Sequence, residues 1–244
     1  MKIQVSQSAL KRAIGIVSRA VAAKSPVPIV MNVLLRAIDD AVTLQATDFK
    51  TAITYTFPCT VHSQGETTIP SKLFSDVISS LPNEILTLTT DFATETTTIA
   101  SQKSKNTLNG VTANDFPTIP ALSDFSAVAV IDASVFRIAL QRIIVATADS
   151  ESRPVLAGVY FQYTTSDMEK NQMCITAADG FRLAQHVFPV VSFDTQDVSN
   201  FIVPAYALTE FAKVLAFVDG NITILKNNRQ IAFVMNHADN GKIH

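Results

Sequence analysis

Apolar and polar positions alternate along this chain in two rhythms, one of period two and one near 3.6. Residues 2–5 alternate as a short strand. Leu10, Ile14, Val17 and Val21 then fall four, three and four apart, the spacing of one buried stripe on a helix. That helix is expected to run to about Ala22, with Ser6 or Ser8 as its cap. Its other face carries Lys11, Arg12, Gly15, Ser18 and Arg19. Beyond Pro26 and Pro28, strands are predicted at 29–37, 41–47 and 51–61, the last after a turn at Asp48. Ile69-Pro70-Ser71-Lys72 opens a second helix, with proline near its first turn. Leu73, Phe74, Val77, Ile78 and Leu81 form its expected inner face, and Lys72, Ser75, Asp76 and Ser79 its outer one. Strands at 85–90, 96–101 and 106–111 follow, and Asp115-Phe116-Pro117-Thr118-Ile119-Pro120 is expected to be an extended linker.

The remainder repeats this order. A strand at 128–131 leads to a helix capped by Asp132 or Ser134, with Phe136, Leu140, Ile143 and Ile144 inward and Arg137, Gln141 and Arg142 outward. Strands at 155–163, 172–177 and 182–188 follow, the last after an Asp179-Gly180 turn. Ile202-Val203-Pro204-Ala205 opens a fourth helix reaching about Phe217, and strands at 222–226 and 230–235 complete the set. Three segments align between the halves: Val5-Ser6 with Ile131-Asp132, Leu44-Gln45 with Ile175-Thr176, and Thr68-Ile69-Pro70 with Ile202-Val203-Pro204. Their offsets are 126, 131 and 134 residues. So steady an offset implies one fold written twice, as domains 1–120 and 121–244. Each domain combines two helices with about eight short strands, which makes the class α+β, helices packed on antiparallel sheets.

Composition adds limits. In 244 residues the apolar fraction is 48% and the charged fraction 16%, a globular balance. The formal net charge is −2, so any nucleic-acid contact has to come from a local basic surface. Cys59 and Cys174 lie far apart in strand-like contexts and are expected to be reduced thiols, without zinc-site spacing. The N-terminus has no apolar signal core and no apolar run approaches a membrane span, so a soluble, cytoplasmic protein is expected.

Chemistry is sparse. The seven glycines are isolated and form no phosphate loop. His62, His186, His237 and His244 stand at no metal spacing and near no nucleophile pattern, so no catalytic residue, metal site or cofactor is expected. Asp48 and Asp179 recur in register. They are either turn-fixing carboxylates bonded to local N–H groups or, alternatively, members of an enzyme's site. The cations Lys11, Arg12, Arg19, Lys72, Arg137 and Lys213 lie on outward helix faces. Each alone reads as a solvated charge. Together, on helices in equivalent places, they would make a positive wall that attracts phosphates without reading bases.

Several motifs resemble the bacterial sliding clamp family, the beta subunit of DNA polymerase III. They are Met1-Lys2-Ile3-Gln4-Val5-Ser6, Val17-Ser18-Arg19-Ala20-Val21, Asn32-Val33-Leu34-Leu35, Ala46-Thr47-Asp48, Asp115-Phe116-Pro117, Arg153-Pro154-Val155-Leu156-Ala157-Gly158-Val159 and Ala177-Ala178-Asp179-Gly180-Phe181-Arg182-Leu183-Ala184. The resemblance implies a non-catalytic processivity factor that encircles duplex DNA independently of sequence. It implies partners among polymerase III subunits, the clamp loader and other proteins bearing a clamp-binding motif. It adds Lys24 to the DNA-facing residues, beside Lys72, and assigns a partner-peptide pocket wall to Leu156, Gly180, Arg182 and Leu183. Ala178 and Phe181 stand in that wall where the family favours threonine and histidine, and make it more apolar. Ala205 and Tyr206 occupy places where the family often has a cation. Family members carry three such domains and close as a head-to-tail homodimer ring. This sequence holds two, with Asp239-Asn240-Gly241-Lys242 near the start of the second interdomain linker. A truncated clamp is the expectation, with a shortened clamp that needs three subunits as the other possibility. A fragment acting only as a protein-interaction module is the alternative function.

Overall fold

The computed structural model describes residues 1–149, 153–164, 171–193, 200–236 and 241–244. His237, Asp239 and Asn240 lie outside them. The chain divides into two compact units, Met1–Ile119 with Asp239–His244, and Pro120–Ala238.

The first unit runs β1 (Lys2–Ser6), α1 (Gln7–Val17), β2 (Asn32–Ile38), β3 (Ala41–Thr47), β4 (Ala52–Pro58), β5 (Thr60–Ser63), β6 (Gly65–Pro70), α2 (Ser71–Ser80), β7 (Ile85–Asp91), β8 (Thr96–Ala100) and β9 (Lys105–Asn109). One antiparallel sheet has the order β5-β1-β7-β8-β9, and a second the order β6-β2-β3-β4. Helix α1 is capped by Ser6, whose hydroxyl accepts the Ala9 N–H at 3.2 Å. Its buried row is Leu10, Ala13, Ile14 and Val17. It packs on α2, and the buried Gln7 amide donates to the Ile78 carbonyl at 2.7 Å. The α-helix stops at Val17, short of the expected Ala22, and one 3-10 turn follows at Ser18–Ala20. Ser18 donates its hydroxyl to the Ile14 carbonyl there, the local competition that favours a helix end.

Two further departures trace to proline. Pro28–Met31 form a 3-10 turn, so β2 begins at Asn32 rather than 29. The single strand expected at 51–61 is two. The Cys59 N–H donates to the Asp40 carbonyl at 3.0 Å, and the chain leaves β3 after Pro58 to pair with β1 as β5.

The second unit runs β10 (Ser126–Asp132), α3 (Ala133–Ile143), β11 (Gly158–Thr164), β12 (Gln172–Ala178), β13 (Leu183–Pro189), β14 (Ser192–Phe193), β15 (Phe201–Pro204), α4 (Ala205–Val214), β16 (Asn221–Lys226) and β17 (Ile231–Asn236). Its sheets are β14-β10-β16-β17 and β13-β12-β11-β15. The registers repeat those of the first unit. Asn32↔Pro70 becomes Gly158↔Pro204, and Ala41↔Pro58 becomes Gln172↔Pro189. Ser6↔Ile85 becomes Asp132↔Asn221. The core centres on Phe136, with the rings of Phe161, Phe188, Phe211 and Phe233 at 6.1, 5.9, 6.0 and 5.9 Å.

After β17 the chain returns to the first unit as β18 (Lys242–Ile243), antiparallel to β4. Two backbone bonds between His244 and Thr54 extend the ladder, at 2.5 and 2.9 Å. This segment covers the outer edge of β4, which would otherwise present unpaired N–H and C=O groups, and Ile243 is buried under it. The expected division had all of 121–244 in the second domain; the fold groups these last residues with the first unit.

Candidate nucleic-acid and partner surfaces

In the first unit the packed pair α1 and α2 presents Lys11 and Lys72 to solvent. Arg12 and Arg19 are half-buried. Arg12 lies close enough to Tyr55 for its charge to oppose the upward shift that burial gives the phenol. Lys24 is exposed on the segment after the 3-10 turn that ends α1. In the second unit α3 and α4 pack in the same way, and carry half-buried Arg137 and exposed Lys213. The Lys213 ammonium is held 2.5 Å from the Glu210 carboxylate, one helical turn earlier. The seven residues expected to face DNA thus separate into five on the first unit and two on the second.

The six residues expected in the pocket wall fall on two neighbouring segments of the second unit. Ala178 ends β12, Gly180, Phe181 and Arg182 form the turn to β13, and Leu183 begins β13. Asp179 ties that turn. One of its oxygens accepts the Phe181 and Arg182 N–H groups, each at 2.9 Å, and the other accepts Arg182 Nε at 2.8 Å. These bonds hold its carboxyl below the usual carboxylate range. Gly180 has φ +94°, a left-handed conformation that costs glycine nothing. A Cβ there would stand 3.3 Å from the Arg153 guanidinium, which brings the segment before β11 against the turn. Leu156, half-buried, lies on that segment; its N–H donates to the Arg153 carbonyl, and its own carbonyl accepts the Ala148 N–H. Phe181 is 100% exposed and Leu183 68%.

Two residues of this surface had no role assigned from sequence, Arg153 and Val155, the latter 68% exposed. The Pro154 between them was the available signal, since proline fixes the turn that carries both. Asp48 does in the first unit what Asp179 does in the second. It accepts the Lys50 and Thr51 N–H groups and the Thr51 hydroxyl. Both carboxylates are therefore engaged in their own turns. Among the described residues no group of three or more His, Cys, Asp or Glu is placed to hold a metal ion. No helix among them is long and apolar enough to cross a membrane.

Comparison with known proteins matches residues 1–120 to the N-terminal domain of the DNA polymerase III beta subunit and residues 130–240 to its central domain. The chain belongs to the DNA polymerase III beta subunit family. It is 30% identical over 258 residues to the beta sliding clamp of Synechocystis sp., covering 96% of this chain and 63% of that one. To the beta sliding clamp of Staphylococcus aureus it is 28% identical, covering 88% and 57%. Among solved structures, the sliding clamp of Bartonella birtlesii bound to griselimycin superimposes with a TM-score of 0.88 at 28% identity, over 100% of this chain and 63% of that one. The sliding clamp of Bacillus subtilis gives the same TM-score and coverage at 24% identity, a likeness of fold. The architecture is thus the sliding-clamp fold, α+β, with helices on antiparallel sheets. The chain spans roughly three fifths of the length of these relatives.

Proposed function

We propose that this chain acts in DNA replication as part of a processivity clamp, a non-catalytic accessory to a DNA polymerase that encircles duplex DNA once its ring is complete. The observation that carries the reading is the twice-repeated clamp fold, matched over nearly the whole chain to consecutive domains of one family. The clamp domains that go with it are 1–120 and 121–244 in sequence, with Lys242–Ile243 pairing with β4 of the first. Lys11, Arg12, Arg19, Lys24, Lys72, Arg137 and Lys213 face the duplex and meet phosphates rather than base edges, the weak, salt-dependent contact a sliding protein needs. Leu156, Ala178, Gly180, Phe181, Arg182 and Leu183 form one wall of a site for short peptides of polymerase III subunits, the clamp loader and other clamp-binding-motif proteins. The protein works in the cytoplasm, with no cofactor. Ring closure and the far wall of the peptide site would come from further copies of the domain, in the same chain or another.

A second reading is favoured by the wholly exposed Phe181. In it, the chain docks peptides and never encircles DNA. Retention on nicked circular DNA in high salt, with release after linearisation, tests the two. Topological retention supports the clamp. Peptide binding that Phe181→Ala removes, without retention, supports the module, and loss of both refutes both.

A further inference from the structure

If the chain is a clamp, its two units do not hold the duplex equally. Resting on that reading, we infer that the grip on duplex phosphates is one-sided, carried by the first unit through Lys11, Lys24 and Lys72, while the equivalent helical face of the second unit keeps only one matching cation, Arg137.

The repeat makes the comparison position by position. Helices α1 and α3 both have 11 residues, begin one residue after a side-chain cap, and end in a three-residue 3-10 turn. Helices α2 and α4 both have 10 residues and begin after a proline. On this alignment Lys11 corresponds to Arg137, and the cation is kept. Arg12 corresponds to Ile138, Arg19 to Val145 and Lys72 to Tyr206. The three replacements are not buried; they are 44%, 64% and 46% exposed. The second unit therefore keeps the outward direction of these positions and discards their charge.

The remaining charges do not restore the balance. Asp76 of α2 is matched by Glu210 of α4, so the acid is common to both faces. Lys213 has no cationic counterpart, because Ser79 occupies its place, and its ammonium is paired with Glu210. Arg142 corresponds to Ile16, which is buried in the first unit. Arg142 is itself exposed, and its charge helps to lower the pKa of His186 on β13, after the larger effect of burial, so it stands on the side of α3 that packs against β13. By contrast Lys11, Lys24 and Lys72 are exposed and make no ion pair with any described residue. Neither α1 nor α3 contains an acidic residue, so the difference lies in the cations. A phosphate passing the first unit meets these three ammonium groups; one passing the second meets Arg137 among Ile138, Val145 and Tyr206.

The test uses the 244-residue chain and a fluorescently labelled duplex, with affinity measured by anisotropy over a series of salt concentrations. Lys11→Gln/Lys24→Gln/Lys72→Gln should flatten the slope of log K against log salt by about 0.9 for each phosphate no longer neutralised. Ile138→Arg/Val145→Arg/Tyr206→Lys, which restores the first unit's charges, should steepen it by about 0.9 for each further phosphate neutralised. All six sites are at the surface, and circular dichroism checks that each variant is folded. An unchanged slope in the lysine variant, no steepening in the add-back variant, or an equal loss from Arg137→Gln alone would overturn the inference while leaving the clamp reading intact. Wild-type protein with no salt-dependent binding to DNA would refute the clamp reading itself, and this inference with it.

Discussion

Replacing Phe136 by alanine should be among the most damaging single changes in the second unit. The side chain is 0% exposed and touches four other phenylalanine rings at centroid distances of 5.9 to 6.1 Å. Burying such a ring is worth about 1.5–3 kcal/mol in transfer alone. The hole left behind raises the total to about 3–5 kcal/mol, because the neighbours relax only in part. Four tilted or edge-on aromatic pairs, each worth about 0.5–1.5 kcal/mol beyond area, place the loss toward the top of that range. Urea denaturation followed by circular dichroism gives the loss, and hydrogen exchange across β10 to β17 assigns it to this unit. Phe136→Leu, which keeps most of the volume without the ring, should lose less than half as much. A loss below about 1 kcal/mol for Phe136→Ala would mean that the ring cluster is not the closed centre of the core, and the reasoning would fail.

Other consequences can be checked with equal directness. Gln7→Ala removes the buried side-chain tie from α1 to the Ile78 carbonyl of α2 and should cost about 1–3 kcal/mol in the same denaturation assay, since that carbonyl stays buried. Asp132 caps α3 by accepting the Ser134 and Val135 N–H groups, so Asp132→Ala should cost about 0.5–2 kcal/mol. Its folded pKa is lowered, first by the Ser134 hydroxyl, so its stabilisation is present above the ordinary carboxylate pKa and is lost as pH falls through the folded value. An acid titration of Asp132→Ala against wild type should show the two converging there. The Cys59 thiol is pushed up to about 11 by burial and by the Asp40 charge. Its alkylation by iodoacetamide should be slow at neutral pH and rise only toward that value, with Asp40→Asn moving the midpoint down.

The sequence by itself determined the order of the four helices and of most strands, the twofold repeat and the class, though β6, β14 and β15 were not among the strands it predicted. All three depend on local periodicity, and a stripe at helical spacing or an alternating run has few other ways to bury its apolar side. The offsets of 126, 131 and 134 residues seen in short motifs reappear as the registers of the ladders, because register follows the alternation of buried positions. The turn role of Asp48 and Asp179 was one of two readings, and the hydrogen bonds chose it. What only the tertiary structure decided is non-local. The strand at 51–61 divides because Asp40, far along the chain, takes the Cys59 N–H and β1 offers a second edge. Strand β18 exists because β4 has an open edge, a fact no pattern at 242–243 encodes. The outward helix cations looked alike in sequence, and only exposure and pairing separated Lys11 and Lys72 from Lys213 bound to Glu210. Periodicity reports which face of an element is buried; what stands opposite the other face is set by residues distant in the chain.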